Sequence, residues 1–257
     1  MTRPIVGIIG NTGLINDRYP VHEVGTMVCD AVAEVSGCIP MIIPPDPCWM
    51  TVAELMETCD GFLLPGGRPN VHPSEYGDEE TEAHGTFDRK RDAIALELVR
   101  ACVATGQPVF GICRGFQEIA VAMGSTLHPE IRELPGRRNH RMPVDVPLDE
   151  GFSNRHMVQL TPGGRFARIF GAEEVETNSL HGQGIMIPGP RIVVEGRTED
   201  GTMEAIYVKD APGFTMAVQW HPEHRAAQDP VSRPLFEAFG HAVRSWAMAR
   251  RGAAKVA

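Results

Sequence analysis

A chain of 257 residues with 42% hydrophobic and 22% charged residues can bury roughly three quarters of the surface its unfolded form exposes, and that composition excludes a disordered polymer. Its 24 Lys and Arg against 33 Asp and Glu give a formal net charge of −9, with no basic stripe to track a phosphate backbone, so no nucleic-acid partner is expected. No apolar run approaches the roughly 20 residues of a membrane span, so no membrane association is expected either.

Taken in chain order, Ile5–Ile9 is a short β-branched run ending at Gly10 and reads as a buried strand. It is too short for the apolar region of a secretory signal, and no small-residue cleavage site follows it. Val21 to Ser36 places Val24, Met27, Val28, Ala31, Val32 and Val35 at helical spacing before Gly37. Pro40 to Pro44 is a second strand, and Thr51-Val52-Ala53-Glu54 is a capping box that opens a short helix. Gly61 to Leu64 is a third strand, stopped by Pro65-Gly66-Gly67 and followed by a polar stretch from Arg68 to Gly85. A helix from about Asp88 to Ala104, a strand from Pro108 to Ile112 and a helix from Gly115 to Met123 complete the first half.

This alternation predicts an α/β fold with a parallel sheet covered on both faces. The second half reads differently. His156–Leu160, Arg191–Glu195, Met203–Val208 and Thr215–Gln219 are strands joined by short turns, so some antiparallel pairing is expected there. Leu235 to Met248 is a closing amphipathic helix, and Arg250, Arg251 and Lys255 beyond it suit a helix C-terminus. Glu133 to Pro147 is loop-like, but no linker or repeat divides the chain, so residues 1–257 are expected to form one domain. The six cysteines, Cys29, Cys38, Cys48, Cys59, Cys102 and Cys113, contain no C-x-x-C pair, which argues against a zinc ribbon or a dithiol motif and for reduced thiols in the cytoplasm.

The strongest chemical feature is Phe110-Gly111-Ile112-Cys113-Arg114-Gly115-Phe116-Gln117. A strand ends at a Gly-x-Cys-x-Gly turn and a helix begins at once, the thiol counterpart of a nucleophile elbow. The helix N-terminus faces the Cys113 sulfur and favours thiolate. The other reading is a small core cysteine at a strand end; the flanking glycines and the immediate helix favour the nucleophile. A thiolate needs a base, and Gln219-Trp220-His221-Pro222-Glu223 closes another apolar strand. Pro222 keeps His221 extended, so His221 and Glu223 can share a face, with the carboxylate orienting the imidazole. Leu64-Pro65-Gly66-Gly67 ends a third strand, and the N–H groups of Gly67 and Arg114 are candidate oxyanion donors. His221-x-x-His224 lacks a completing ligand set, so no metal is expected.

These three motifs, in this order, resemble the class I glutamine amidotransferase superfamily. The closer signatures are Asn70-Val71-x-Pro73-x-x-Tyr76-Gly77, Arg91-Asp92, Cys113-Arg114-Gly115-x-Gln117-Glu118, Asn178 to Gly184 and Val218 to Glu223. They resemble the gamma-glutamyl-gamma-aminobutyrate hydrolases of putrescine breakdown, of the peptidase C26 type. The resemblance implies a flavodoxin-like sheet, Cys113 as nucleophile, His221 as base then acid, and Glu223 as its orienter. It also implies that Gln117 and the backbone at Ser179 and Leu180 hold the glutamyl group, with no cofactor. The implied partner is a small γ-glutamyl substrate, and a homodimer is left open. Gly67-Arg68-Pro69 departs from the Ser-Pro-Ser run of the putrescine-pathway enzyme, which bears on the leaving-amine pocket, where Arg68 could read a carboxylate. The same local chemistry would serve a glutaminase subunit that delivers ammonia to a synthetase.

Overall fold

In the computed structural model, which describes residues 2–253, the chain opens with β1 (Ile5–Ile9), a hairpin of β2 (Asn11–Ile15) and β3 (Tyr19–Glu23), and α1 (Thr26–Asp30), which runs on into a π-helical turn. Next come β4 (Ile39–Ile43), α2 (Val52–Thr58), β5 (Gly61–Leu64), α3 (Arg89–Thr105), β6 (Val109–Ile112) and α4 (Arg114–Ala122). The second half contains β7 (Thr126–His128), α5 (Leu148–Gly151), β8 (His156–Leu160), α6 (Arg165–Phe170), β9 (Glu174–Thr177) and β10 (Gly184–Ile187). It closes with β11 (Ile192–Thr198), β12 (Met203–Val208), β13 (Thr215–Val218) and α7 (Ser232–Ala253).

Nine strands form the central sheet in the order β4-β1-β5-β6-β13-β12-β11-β8-β9. The strands from β4 to β13 pair in parallel and those from β13 to β9 pair antiparallel, so only β12 and β8 run against the rest. Side chains alternate between the two faces, as the strand period requires. Ile9, Phe62, Leu64 and Val109 join the core formed with α2, α3 and α4. Val6, Ile8, Leu63, Phe110 and Ile112 join the opposite core, with Phe166, Phe236 and Phe239. Burial on both faces explains why β1, β5 and β6 read as continuous apolar runs.

The sheet order has one decisive consequence for function. β5, β6 and β13 are parallel neighbours, so the segments that follow them (Pro65-Gly66-Gly67, Cys113 and His221) emerge side by side at one sheet edge. Ligands of open α/β sheets bind beyond the carboxyl ends of such strands.

Several elements differ from the sequence reading. Val21 begins no helix: Tyr19–Glu23 pairs antiparallel with Asn11–Ile15, and the helix starts at Thr26. Asn16 and Asp17, with φ of 53° and 51°, make the reversal. Both strands are largely solvent-facing, so they carry no apolar alternation to announce them. The β7–β10 pair and the edge strand β9 are also additions. The closing helix is longer than expected, so Arg250 and Arg251 fall in its last turn; Lys255 lies outside the described residues. The Thr51 capping box forms as expected. No helix among the described residues is long and apolar enough to cross a membrane.

Candidate active site

Cys113 sits between β6 and α4 at φ 50° and ψ −99°, a conformation that costs a non-glycine residue roughly 1–3 kcal/mol and persists only where its surroundings enforce it. Here the enforcement is visible. Its N–H donates to Val218 O at 2.9 Å, which holds the turn to β13. On the other side, a Cβ at Gly115 would lie 2.0 Å from Leu64 O, so only glycine lets the first turn of α4 press onto the end of β5. The side chain of Cys113 faces a cavity of about 650 Å³, with the N-terminus of α4 behind it. Aligned peptide dipoles favour negative charge at that point.

His221 lines the same cavity. Its Nδ1 donates to Glu223 Oε1 at 2.7 Å, so the two side chains share a face, as the extended Pro222 step predicts. The backbone of His221 is clamped by Asn178, whose Oδ1 accepts from His221 N and whose Nδ2 donates to His221 O, both at 2.8 Å. A Cβ at Gly66 would come within 2.5 Å of His221 Cε1, so the imidazole lies directly on the turn that ends β5. Burial alone would depress its pKa. The charges of Glu223 and Cys113, and hydrogen bonds to both, outweigh burial and raise it well above 6.5.

The turn at Gly66 and Gly67 rests on a buried ionic lattice. Arg91 grips Glu118 with Nε and Nη2, each at 2.9 Å, and sends Nη2 to Pro65 O at 2.6 Å. Its Nη1 reaches Asn11 Oδ1 at 2.6 Å. Arg114 donates from Nε to Pro69 O at 2.7 Å, from Nη2 to Asp92 Oδ1 at 2.6 Å, and from Nη1 to Glu118 Oε1. Arg91, Asp92, Arg114 and Glu118 are each 0 to 1% exposed. Two guanidinium groups thus tie the carbonyls on either side of Gly66 and Gly67 to the first turns of α3 and α4. Gly67 and Arg114, whose N–H groups are the candidate oxyanion donors, both border the cavity. The Arg114 amide is at the first position of α4, where no intrahelical acceptor exists.

The expected substrate-side residues divide. Gln117 lines the cavity, but its Nε2 is committed to Gln183 O at 2.7 Å and Gln219 Oε1 at 3.1 Å, which leaves its Oε1 to accept from a ligand. Leu180 borders the cavity. Ser179 stands behind that wall, buried, with its hydroxyl donating to His140 O at 2.9 Å. Arg68 is at the rim, exposed, with no ion-pair partner among the described residues. The polar stretch beginning there supplies Asn70, Ala83 and Gly85 to one wall, and Arg141 to Gln183 supply residues to the other.

Sequence reasoning gave no role to Asn11, Asn178 or Arg141, and read Arg91-Asp92 and Glu118 only as family signature. Asn178 opens the Asn-Ser-Leu-His run, which marks the segment but says nothing of a clamp. Arg141, which reaches Glu130 Oε2 through Nε at 2.6 Å, comes from an irregular loop with no motif around it.

Comparison with known proteins places the chain in a family. A family model described as Peptidase C26 covers residues 4–223. The gamma-glutamyl-gamma-aminobutyrate hydrolase of Escherichia coli O157:H7 is 34% identical over 244 residues, spanning 93% of each chain. Its counterpart in E. coli K12 is 33% identical over the same length. A Schizosaccharomyces pombe protein provisionally assigned as a glutamine amidotransferase is 30% identical over 240 residues, 93% of this chain and 86% of its own. Among solved structures, a Thermoplasma acidophilum protein provisionally assigned to GMP synthase, as one of its subunits, superposes with a TM-score of 0.64 over 98% of this chain and 99% of its own, at 18% identity. At that identity the likeness is one of fold.

Proposed function

Because the chain belongs to the peptidase C26 family, and is a cysteine-dependent hydrolase, we propose that it hydrolyses γ-glutamyl amides, with γ-glutamyl-γ-aminobutyrate as the preferred substrate. One observation carries the reading: Cys113, the His221–Glu223 pair and the Gly66-Gly67 turn converge on one cavity at the ends of adjacent strands. The identity to gamma-glutamyl-gamma-aminobutyrate hydrolases over 93% of the chain supports the choice of amine.

In this reading the Cys113 thiolate attacks the γ-carbonyl, and the N–H groups of Gly67 and Arg114 take the oxyanion, one such donor being worth about 3 kcal/mol. His221, as imidazolium, gives its proton to the departing amine and leaves a γ-glutamyl thioester. The neutral imidazole then draws a proton from water as that water attacks the thioester, and glutamate is released. Gln117 Oε1 and the backbone at Leu180 receive the glutamyl end, and Ser179 acts from behind the wall. Residues 1–257 act as one hydrolase domain, since the sheet takes strands from both halves of the chain. The six unpaired cysteines support a reducing, cytoplasmic setting.

Steady-state kinetics over a panel of γ-glutamyl amides tests the proposal. Highest kcat/KM with γ-glutamyl-γ-aminobutyrate is expected. Preference for glutamine would favour the glutaminase reading, which the S. pombe relative keeps in view.

Glu223 sets the pH range of this chemistry. Its charge helps to hold the His221 pKa well above 6.5, and the imidazolium is the form that protonates the leaving amine. Activity therefore falls on the alkaline side as that proton is lost. Glu223→Gln keeps the hydrogen-bonding shape and loses the charge, so the alkaline limb of kcat/KM moves to lower pH. Residual activity stays above that of His221→Ala. An unmoved limb in a pH–rate profile would show that Glu223 does not support the imidazolium.

Arg68 reads the carboxylate of the amine. Arg68→Ala raises KM for γ-glutamyl-γ-aminobutyrate more than for the γ-glutamyl amide of an uncharged amine. The difference is about fivefold at most, because an exposed pair contributes no more than about 1 kcal/mol. Equal changes in the two KM values would transfer that role to Arg141 in the opposite wall.

A further inference from the structure

We propose that His140, His156 and Glu204 form a binding site for a divalent transition metal of the zinc type, separate from the Cys113 cavity. His140 comes from the irregular loop before α5, His156 opens β8, and Glu204 lies in β12. One potential ligand atom from each falls within 4.8 Å of the others. His140 Nδ1 is 3.7 Å and His156 Nε2 is 3.9 Å from Glu204 Oε1. Tetrahedral zinc with bonds of about 2.0–2.2 Å sets its ligands roughly 3.3–3.5 Å apart, so each histidine needs to approach Glu204 by only a few tenths of an ångström.

The hydrogen-bond accounting points to a cation. Glu204 is fully buried, and its Oε2 has no partner. His156 Nε2 has none either. His140 Nε2 donates to Asp200 Oδ2 at 2.8 Å, which places the imidazole proton there and leaves a lone pair on Nδ1. Ser179 Oγ lies 3.0 Å from Nδ1, but the single hydroxyl proton of Ser179 is given to His140 O. His181 Nδ1 donates to Gln183 O at 3.0 Å, so its Nε2, 3.3 Å from Glu204 Oε1, also turns a lone pair toward that carboxylate. No hydrogen bond holds the ring proton of His156 on Nε2; with that lone pair turned inward, acceptor atoms of the three proposed ligands converge without a donor, and leaving such atoms unsatisfied in the interior is costly. A proton on Glu204 would serve one of its neighbours, whereas a metal ion serves all three ligands.

The surroundings complete the pattern. A carboxylate on the far nitrogen of a histidine is the usual support for a metal-ligating imidazole, and Asp200 occupies that position. His140 and His156 also line a surface cavity of about 200 Å³ where Asp200, Glu176 and Glu199 stand beside Arg138 and Arg155, which gives the ion an entry path. This departs from the expectation of a metal-free protein, which rested on His221 and His224. No step of the hydrolysis is assigned to the site.

Zinc and cobalt titrations of the chelator-stripped full chain test the proposal. They are done in Cys113→Ala, so that the active-site thiol binds nothing. One equivalent of Zn2+ by calorimetry and elemental analysis is expected, and Co2+ should give d–d bands without thiolate charge transfer. Adding His156→Ala lowers the affinity at least about 100-fold, and adding Asp200→Asn lowers it about 10- to 100-fold. Circular dichroism checks the fold of each, and Asp200→Asn decides if His156→Ala fails to fold. No bound equivalent, a thiolate charge-transfer band from the exposed Cys48, or unchanged affinity in the folded variants would overturn the site.

Discussion

Cys113→Ala folds like its parent and loses at least about four orders of magnitude in kcat on γ-glutamyl amides, the loss typical of removing a nucleophile from a group that acts as a unit. The folding half of this expectation follows from the backbone. Alanine keeps the Cβ, so the strain at φ 50° is unchanged and the Val218 hydrogen bond does not involve the side chain. Only a sulfur beside an open cavity is removed, which is a loss of about 1 kcal/mol or less. The kinetic half follows from the chemistry, since the remaining donors and His221 have no covalent intermediate to stabilise. Thermal unfolding measured with kcat on the same preparation separates the two. A folded variant that retained more than a hundredth of the parent rate would show that the nucleophile lies elsewhere.

The second large effect is structural. Glu118 is the shared anion between Arg91 and Arg114, and all three side chains are 0 to 1% exposed. Burial pulls the Arg91 pKa down, and Glu118 is the strongest opposing influence. Glu118→Ala removes the carboxylate and leaves two buried guanidinium groups facing each other. Breaking a buried pair in this way costs about 3–5 kcal/mol. In a chain of this length that lowers Tm by roughly 6–20 °C. Activity falls as well, because the same guanidinium groups fix Pro65 O and Pro69 O on either side of Gly66 and Gly67. Glu118→Gln retains an acceptor and falls between the two. A Tm within about 2 °C of the parent in Glu118→Ala would contradict the account of how the turn is held.

The parts of this structure legible in the sequence share a physical reason. β1, β5 and β6 are buried on both faces, so their apolar runs have no competing explanation, and the turns that end them carry glycines that contacts such as Gly115 to Leu64 O require. The Cys113 elbow and the His221-Pro222-Glu223 step are local geometry, set by residues a few positions apart. The hairpin of β2 and β3 was not legible because it is solvent-facing, and the spacing from Val24 onward extended a helix backward over it. The ionic lattice was not legible for another reason: Arg91 and Glu118 are 27 residues apart, and nothing local shows that both guanidinium groups turn inward. The same holds for Asn178 and His221, 43 residues apart. The His140, His156 and Glu204 cluster is likewise a product of tertiary structure, a loop residue laid over two strands, and not of spacing.

The most direct test of the central claim, a Cys113 nucleophile in a γ-glutamyl pocket, is covalent trapping with a glutamine-shaped diazoketone, read by intact mass and peptide mapping. One adduct per chain on Cys113 is predicted, with labelling suppressed by excess γ-glutamyl-γ-aminobutyrate and lost in His221→Ala. Labelling first at the exposed Cys48, or labelling of Cys113 that the γ-glutamyl amide does not slow, would contradict it.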